Sequence, residues 1–269
     1  MKTSAFIAFL LAAYPVFCSN YATTPETLDC RKYVAQFAPD LSATQLVEQD
    51  LLHGFWTQET PDGIVYKFHF YENGTANRLQ QDASDNLKAT QLNWQVENWN
   101  GKPVLTLQEQ GVFMVNPMQV EQTCDGMVLT SLAGSNRLVL SYSPLLDHAE
   151  MESLKASLEG DWTNVSWSES GNQCNNLEDQ AGSFLNFRFN ANGTYIMACG
   201  NDRLKMEESG TWDLSKDGRF IFFQQAGLPL KVAKIAGIDE HGMVLEHSMN
   251  APGFSDFFCS DLKSFTFIR

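Results

Sequence analysis

The sequence lacks the short motifs that identify the common enzyme classes. It contains no Gly-x-Ser-x-Gly, no His-Glu-x-x-His, no phosphate-binding loop and no dinucleotide fingerprint. It also has no Cys-x-x-Cys pair of the kind that zinc sites and thioredoxin-like proteins use. His241 and His247 fall on one face of a predicted strand, but no third ligand accompanies them. We therefore predict no catalytic residue, no metal and no cofactor; an enzyme built on an unpaired cysteine such as Cys259 is the least favoured function.

Basic residues are scarce in this chain. It has 18 Lys and Arg against 32 Asp and Glu, which gives a formal net charge of −14 at pH 7. Nucleic acids and anionic membrane surfaces are contacted mainly through Lys and Arg, so this balance argues against both as partners.

Long hydrophobic runs are also missing after residue 18, so the sequence predicts no transmembrane segment. Residues 1–18 have the pattern of a secretory signal, with Lys2 followed by a short apolar run over residues 5–13. We predict cleavage after Cys18 and a secreted or periplasmic protein. A lipoprotein anchored through Cys18 is less favoured, because Phe17 is bulky where that processing prefers a small side chain.

An internal repeat is the main organising feature of the sequence. Four motifs occur twice and in the same order. The first is Gly54-Phe55-Trp56, repeated as Gly160-Asp161-Trp162, and the second runs from Phe68-His69-Phe70 to Asn73-Gly74-Thr75, repeated from Phe187-Arg188-Phe189 to Asn192-Gly193-Thr194. The third is Trp94, repeated as Trp212, and the fourth is Gly126-Met127-Val128-Leu129, repeated as Gly242-Met243-Val244-Leu245. The spacing between copies changes mainly across one polar insertion, residues 166–183. The chain is therefore predicted to hold two copies of one structural unit.

Each copy predicts a short helix followed by several strands. Ser42 and Gln45 form a capping pair for the first helix, and Ser143 with Pro144 is predicted to begin the second. After each Gly-x-Trp, hydrophobic and polar residues alternate, which indicates strands with one buried face. Asn-Gly and Asp-Gly pairs mark hairpin turns between them. The predicted class is all-β, with two tandem small antiparallel barrels, because closure removes the exposed edges of a sheet.

The order of these motifs resembles that of bacterial lipocalin-like (calycin) domains. The resemblance covers residues 45–143 and 150–269, and it rests on the order and duplication of the motifs. It divides the chain into a signal peptide (1–18), an N-terminal helical segment (19–44), a first lipocalin-like barrel (45–143) and a helical connector with a second barrel (144–269).

The resemblance also implies structural roles for residues at the barrel ends. In such domains the Trp of Gly-x-Trp plugs one end of the barrel, and a basic residue of the last strand packs over its ring. The matching positions are Trp56 with Arg137 in the first copy and Trp162 with Lys263 or Arg269 in the second. Which of the last two residues covers Trp162 stays open.

Cysteine usage fits an exported protein. Five cysteines follow residue 18, which in an oxidising compartment predicts two disulfides and one leftover thiol. Some lipocalin-like domains carry one Cys before the Phe-x-Phe strand and one after its hairpin. The resemblance therefore implies a disulfide between Cys174 and Cys199, and a second pairing of Cys30 with Cys124 would leave Cys259 free.

Aromatic residues on the alternating strands supply the candidate binding surface. Two interpretations are open for them: they fill the barrel cores, which we favour, or they line a cavity for a small ligand. The residues are Tyr66, Phe68, Phe70, Trp94, Phe187, Phe189 and Trp212. We expect an exported, non-enzymatic binding protein that holds a small apolar or amphipathic molecule in a barrel. The alternative is a module whose loops at a barrel mouth bind a protein or a glycan while both barrels are filled.

Overall fold

The computed structural model describes residues 41–84, 86–109, 111–112, 116–123, 125–134, 136–169, 184–200, 205–246 and 262–269. The predicted signal peptide and most of the predicted N-terminal helical segment lie outside these residues. So do His247 and four of the cysteines, Cys30, Cys124, Cys174 and Cys259.

Two closed, eight-stranded antiparallel barrels, each preceded by a short helix, form the described chain, and the predicted all-β class is confirmed. Barrel 1 follows helix α1 (Ala43–His53) and consists of β1 (Trp56–Glu59), β2 (Val65–Phe70), β3 (Thr75–Gln81), β4 (Leu87–Trp99), β5 (Lys102–Glu109), β6 (Asn116–Gln122), β7 (Gly126–Ser131) and β8 (Arg137–Tyr142). Consecutive strands are neighbours in the sheet, and β1 closes the barrel by pairing with β8.

Barrel 2 repeats this arrangement. It follows helix α2 (His148–Leu158) and consists of β9 (Gly160–Glu169), β10 (Phe184–Phe189), β11 (Thr194–Gly200), β12 (Lys205–Leu214), β13 (Phe220–Gln224), β14 (Lys231–Ile238), β15 (Gly242–Glu246) and β16 (Leu262–Ile268). Here β9 closes the barrel by pairing with both β10 and β16.

The two helices begin with the same type of cap. Ser42 caps α1, and its hydroxyl and the Gln45 side chain form a reciprocal capping box, as predicted. Asp147 caps α2 in the same way with Glu150.

The predicted start of the second helix, at Ser143 and Pro144, is wrong. The backbone N–H of Ser143 donates to the carbonyl of Phe55 at 2.8 Å, and its hydroxyl contacts the Thr57 hydroxyl. Ser143 is thereby held at the junction of β8 with β1, and the helix begins only at His148.

Each barrel is sealed at one end, here called the base, by the Trp of its Gly-x-Trp motif. The indole N–H of Trp56 donates to the carbonyl of Leu51 in α1 at 3.4 Å, and that of Trp162 donates to the carbonyl of Leu158 in α2 at 2.7 Å. Both indoles are fully buried. Each helix therefore contacts the base of its barrel through a carbonyl of its last turn, although Leu51 lies five residues before Trp56 and Leu158 lies four residues before Trp162.

The hairpin that follows the Phe-x-Phe strand of barrel 1 is fastened to the next strand by a tryptophan. Asn73 accepts hydrogen bonds from the backbone and hydroxyl of Thr75, and Gly74 adopts a φ of +79°. The backbone N–H of Trp94 donates to the Gly74 carbonyl at 2.8 Å, and its indole donates to the Tyr71 carbonyl at 3.1 Å.

Barrel 2 has the same hairpin, bond for bond. Asn192 accepts from Thr194, Gly193 has a φ of +77°, and Trp212 donates its backbone N–H to Gly193 at 2.8 Å and its indole to Asn190 at 3.3 Å. This agreement shows that the two barrels are copies of one structural unit.

The chain also divides into two compact units whose limits differ from those of the strand sets. The first unit runs to Arg78 and resumes over Gln91–Pro144, and the second comprises Leu79–Thr90 and Leu145–Arg269. The far end of the β3–β4 hairpin thus belongs to the second unit. Neither helix in the described residues is long and apolar enough to span a bilayer.

Candidate functional site

The end of each barrel opposite its base, here called the mouth, is where β1, β3 and β5 end in barrel 1 and where β9 and β11 end in barrel 2. Side chains alternate between the two faces of each strand, so the shared motifs align the two interiors position by position. The aligned interior pairs are Tyr66 and Leu185, Ala76 and Tyr195, Trp94 and Trp212, Leu107 and Phe223, Leu138 and Phe265, and Leu140 and Phe267.

The base of barrel 1 departs from the implied arrangement. Tyr142, which pairs with Trp56 in the sheet, packs on the indole with ring centroids 4.2 Å apart. Arg137, the expected partner of Trp56, begins β8 at the mouth, where it pairs with Thr130 and is exposed. The prediction for Arg137 is wrong because β8 runs from the mouth to the base, so its last residue, and not its first, reaches the indole.

The base of barrel 2 has the implied cation. The guanidinium carbon of Arg269 lies 4.8 Å from the ring centroid of Trp162. The same guanidinium donates to the carbonyls of Ser157 at 2.7 Å and Glu159 at 3.0 Å, which are among the last carbonyls of α2 and its cap. The side chain of Lys263, the other candidate, lies outside what the structure describes.

The interior of barrel 2 is filled by aromatic rings. Seven rings lie 5.1 to 6.4 Å from a neighbouring ring, and each is at most 7% exposed. They are Phe187, Phe189, Tyr195, Trp212, Phe223, Phe265 and Phe267. For this barrel the structure therefore supports the core-packing interpretation of Phe187, Phe189 and Trp212.

Towards its mouth, barrel 2 encloses a charged group. Glu208 faces inward, opposite Met197, and its carboxylate accepts hydrogen bonds from the Tyr195 hydroxyl and the Lys231 ammonium. The side chains of Glu208 and Lys231 are only 15% and 12% exposed. Burial, together with the Glu208 carboxylate, raises the pKa of Tyr195, so its hydroxyl stays protonated and continues to donate. The three side chains satisfy one another and add a polar layer above the aromatic core.

Cys199 lies next to this layer, is buried, and forms no disulfide within the described residues. Burial and the charge of Glu208 raise the pKa of the Cys199 thiol, and Lys231 offsets part of that effect. A protonated, buried thiol is a weak nucleophile. The implied disulfide partner of Cys199, Cys174, lies outside the described residues, and that pairing stays a prediction.

Barrel 1 differs from barrel 2 in that its interior is partly exposed to solvent. Four interior-facing side chains pack against its core and keep part of their surface exposed: Tyr66, Trp94, Leu107 and Leu138. Their equivalents in barrel 2 are buried, with exposures of 1% for Leu185, 7% for Trp212, 2% for Phe223 and 2% for Phe265. Two of the four positions carry Leu in barrel 1 where barrel 2 carries Phe. Solvent therefore reaches hydrophobic surface inside barrel 1.

Polar side chains accompany this exposed hydrophobic surface at the mouth of barrel 1. Arg78 shares the inward face of β3 with Ala76, and its Nη2 donates to Glu109 Oε2 at 3.1 Å. The guanidinium carbon lies 5.9 Å from the ring centroid of Tyr66. Arg78 Nε is buried and has no hydrogen-bond partner among the described residues.

The aromatic residues proposed from the sequence thus fall into two groups. Phe68 and Phe70 are buried in the core of barrel 1, as Phe187, Phe189 and Trp212 are in barrel 2, while Tyr66 and Trp94 border the exposed interior. Sequence reasoning missed Arg78 and Glu109. Alternation with Ala76 was the available signal for Arg78, but a charged residue in a strand is normally assigned to the solvent face.

No group of three or more metal-binding side chains occurs in the described part of the chain. His241, one of the two histidines considered from the sequence, is exposed and lies 3.3 Å from Glu240.

No protein-family model and no curated protein matches the chain. Among solved structures, a protein of unknown function from the DUF3598 family of Nostoc punctiforme is similar over 85% of this chain and 98% of its own, at 11% sequence identity and a TM-score of 0.21. That TM-score is too low to carry an argument about fold or function.

Proposed function

We propose that this protein is an exported, non-enzymatic binding protein of the lipocalin-like kind that holds a small amphipathic molecule inside barrel 1. The observation that carries the proposal is the partial exposure of Tyr66, Trp94, Leu107 and Leu138 on the inner face of a closed barrel. The signal-like segment at residues 1–18 supports export, and the absence of catalytic motifs from the sequence supports a binding role.

The hydrophobic effect favours binding of an apolar group to this surface. Apolar surface in contact with water contributes favourable free energy when a ligand covers it, at about 25 cal/mol per Å². Ligand sites in barrels are concave and mostly apolar, with a few polar groups that orient the ligand. Barrel 1 has this combination at its mouth, with Leu107 and Leu138 as apolar surface and Arg78 with Glu109 as the polar group.

The alternative function, a protein- or glycan-binding module with filled barrels, is favoured for barrel 2 by one observation. Its aromatic core and its Glu208–Lys231 layer leave the equivalent interior positions buried. A filled barrel is a rigid scaffold on which binding loops can be carried.

Titration of the protein with Nile red, an uncharged hydrophobic dye, tests the proposed function. Leu138→Phe places in barrel 1 the side chain that barrel 2 carries at Phe265, and we expect it to lower dye affinity by about tenfold because it occupies the exposed interior. Val139→Phe is the matched control, since Val139 is the next residue of the same strand, faces outward and is 52% exposed. This control variant should bind the dye like the natural protein.

Two outcomes would contradict the proposal. Equal dye affinity in Leu138→Phe and Val139→Phe would place the binding surface outside barrel 1. No binding by the natural protein would favour the alternative with two filled barrels.

A further inference from the structure

We infer that Asn73 and Asn192 are N-glycosylation acceptors and that Asn164 is not. Each of the three begins an Asn-x-Ser/Thr sequence, the acceptor pattern of exported proteins, and no other Asn of the chain does. The inference goes beyond the proposed binding function and shares with it only the predicted export. It comes from the hydrogen bonds of the three side-chain amides, which are alike in Asn73 and Asn192 and reversed in Asn164.

The transfer reaction sets the requirement for an acceptor. The side-chain nitrogen Nδ2 forms a bond to the anomeric carbon of an oligosaccharide, while the bond from that carbon to a polyprenyl diphosphate breaks and the diphosphate leaves with the bonding electrons. Nδ2 loses one proton to a base of the transferase. An acceptor therefore needs a reachable Nδ2, and the bulky product needs a position on the surface of the folded protein.

Asn73 meets this requirement in the hairpin between β2 and β3. It is exposed, and its Oδ1 accepts hydrogen bonds from the backbone N–H of Thr75 at 3.0 Å and from the Thr75 hydroxyl at 2.7 Å. Within the described residues its Nδ2 donates no hydrogen bond. Two donors on Oδ1 polarise the amide, which makes an Nδ2 proton easier to lose. The turn thus engages the oxygen of the amide and leaves its nitrogen available.

Asn192 has the same geometry in the hairpin between β10 and β11. It is exposed, and its Oδ1 accepts from the backbone N–H of Thr194 at 3.1 Å and from the Thr194 hydroxyl at 2.7 Å. Both β2 and β10 run from the mouth to the base of their barrels, because each pairs near its end with the strand that carries the buried indole. Glycans at these hairpins therefore lie at the bases and leave both mouths open.

Asn164 in β9 has the opposite arrangement. Its Nδ2 donates to the carbonyls of Ser166 at 2.9 Å and Thr266 at 3.0 Å, so both of its N–H groups are engaged. Its Oδ1 is buried and accepts no hydrogen bond from the described residues. The contact with Thr266 joins β9 to β16, the strand pair that closes barrel 2. A sugar on Nδ2 would displace at least one of these bonds and separate the two strands, so glycosylation at Asn164 is incompatible with this fold.

Mass spectrometry of the full chain, expressed in cultured insect cells with its own residues 1–18, tests the inference. We expect two N-glycans that peptide-N-glycosidase removes. Asn73→Asp and Asn192→Asp should each lose one glycan, and Asp keeps an oxygen that accepts from the Thr two residues later, so the hairpin is preserved. Thr75→Ala keeps Asn73 but removes the acceptor pattern, and it should also lose one glycan.

Ser166→Ala is the matched control. It removes the acceptor pattern at Asn164 and keeps the hydrogen bonds of that residue, because Asn164 contacts the backbone carbonyl of Ser166. This variant should carry both glycans. A natural protein without a glycan at Asn73 or Asn192 would overturn the assignment of that residue, and loss of a glycan in Ser166→Ala would overturn the exclusion of Asn164. None of these results bears on dye binding by barrel 1, so the inference and the proposed function are tested separately.

Discussion

At the residue scale, the glycine of each Gly-x-Trp motif serves a different purpose. A Cβ added to Gly54 would lie 2.4 Å from Trp56 Nε1, so the side chain is excluded by the indole that seals the base. Gly160 has space around it, with Arg269 Nε 4.0 Å away, but its φ of +123° disfavours any other residue. The glycine of the motif is thus required for a steric reason in the first copy and for a conformational reason in the second.

Another residue-scale feature, the buried Asp50 in α1, predicts that the free energy of unfolding depends on pH. Asp50 is buried, and its Oδ2 accepts from Gln122 Nε2 at 2.5 Å. Burial raises the pKa of Asp50 from 3.8 to about 6, an effect that the Gln122 hydrogen bond partly opposes. The folded state therefore binds this proton more tightly than the unfolded chain.

This stabilisation is fully present below about pH 4 and is lost as the pH rises through about 6. We expect the free energy of unfolding to lose about 2–3 kcal/mol across this window from Asp50 alone. Asp50→Asn, which cannot ionise, should remove that loss. Denaturant unfolding at a series of pH values measures the difference between the two proteins, and identical pH profiles would show that Asp50 ionises freely in the folded state.

At the scale of elements, much of the fold was predictable because local chemistry specifies it. The Ser42 cap, the strand alternation and the Asn100-Gly101 turn, with φ values of +52° and +80°, follow from side-chain size and backbone freedom. The start of α2 was mispredicted because Ser143 and Pro144 look like a local helix signal, whereas Ser143 bonds to Phe55, a residue distant in sequence. The position of Arg137 was missed for a related reason, since the direction of β8 decides which of its ends reaches Trp56.

A prediction at the scale of elements concerns the contact of Arg269, which follows the last strand of barrel 2, with α2. Arg269 stacks on Trp162 and donates to carbonyls at the end of α2, so Arg269→Ala should lower the free energy of unfolding by about 1–2 kcal/mol. Urea denaturation followed by tryptophan fluorescence measures this loss.

Arg188→Ala is the matched control for Arg269→Ala. Arg188 pairs with Asp161 at 2.6 Å on the surface, where both side chains are more than half exposed. Exposed ion pairs contribute little, so this variant should unfold like the natural protein. Equal behaviour of the two variants would mean that Arg269 contributes no more than a surface charge.

At the scale of the whole molecule, the two copies share their strand order and hairpins but differ in the side chains inside the barrels. The Asn-Gly-Thr hairpins and the buried indole at each base agree between copies, although Tyr142 covers Trp56 and Arg269 covers Trp162. Inside the barrels, Tyr195, Phe223 and Phe265 of barrel 2 are replaced in barrel 1 by smaller residues. The duplication was readable from the sequence because its motifs occupy positions fixed by turns and close packing. The exposed interior of barrel 1 could not be predicted from the sequence, because exposure depends on how all eight strands pack together and not on any one strand.

The most direct measurement of this account is methyl NMR of leucine-labelled protein titrated with decanol, a ligand whose binding does not depend on charge. We predict chemical-shift changes at Leu107 and Leu138, which face the exposed interior of barrel 1, and none at Leu185 and Leu245 inside barrel 2. Leu132, which is 44% exposed, reports non-specific binding. Shifts confined to Leu132, or equal shifts in both barrels, would contradict the claim that barrel 1 is the ligand-holding barrel.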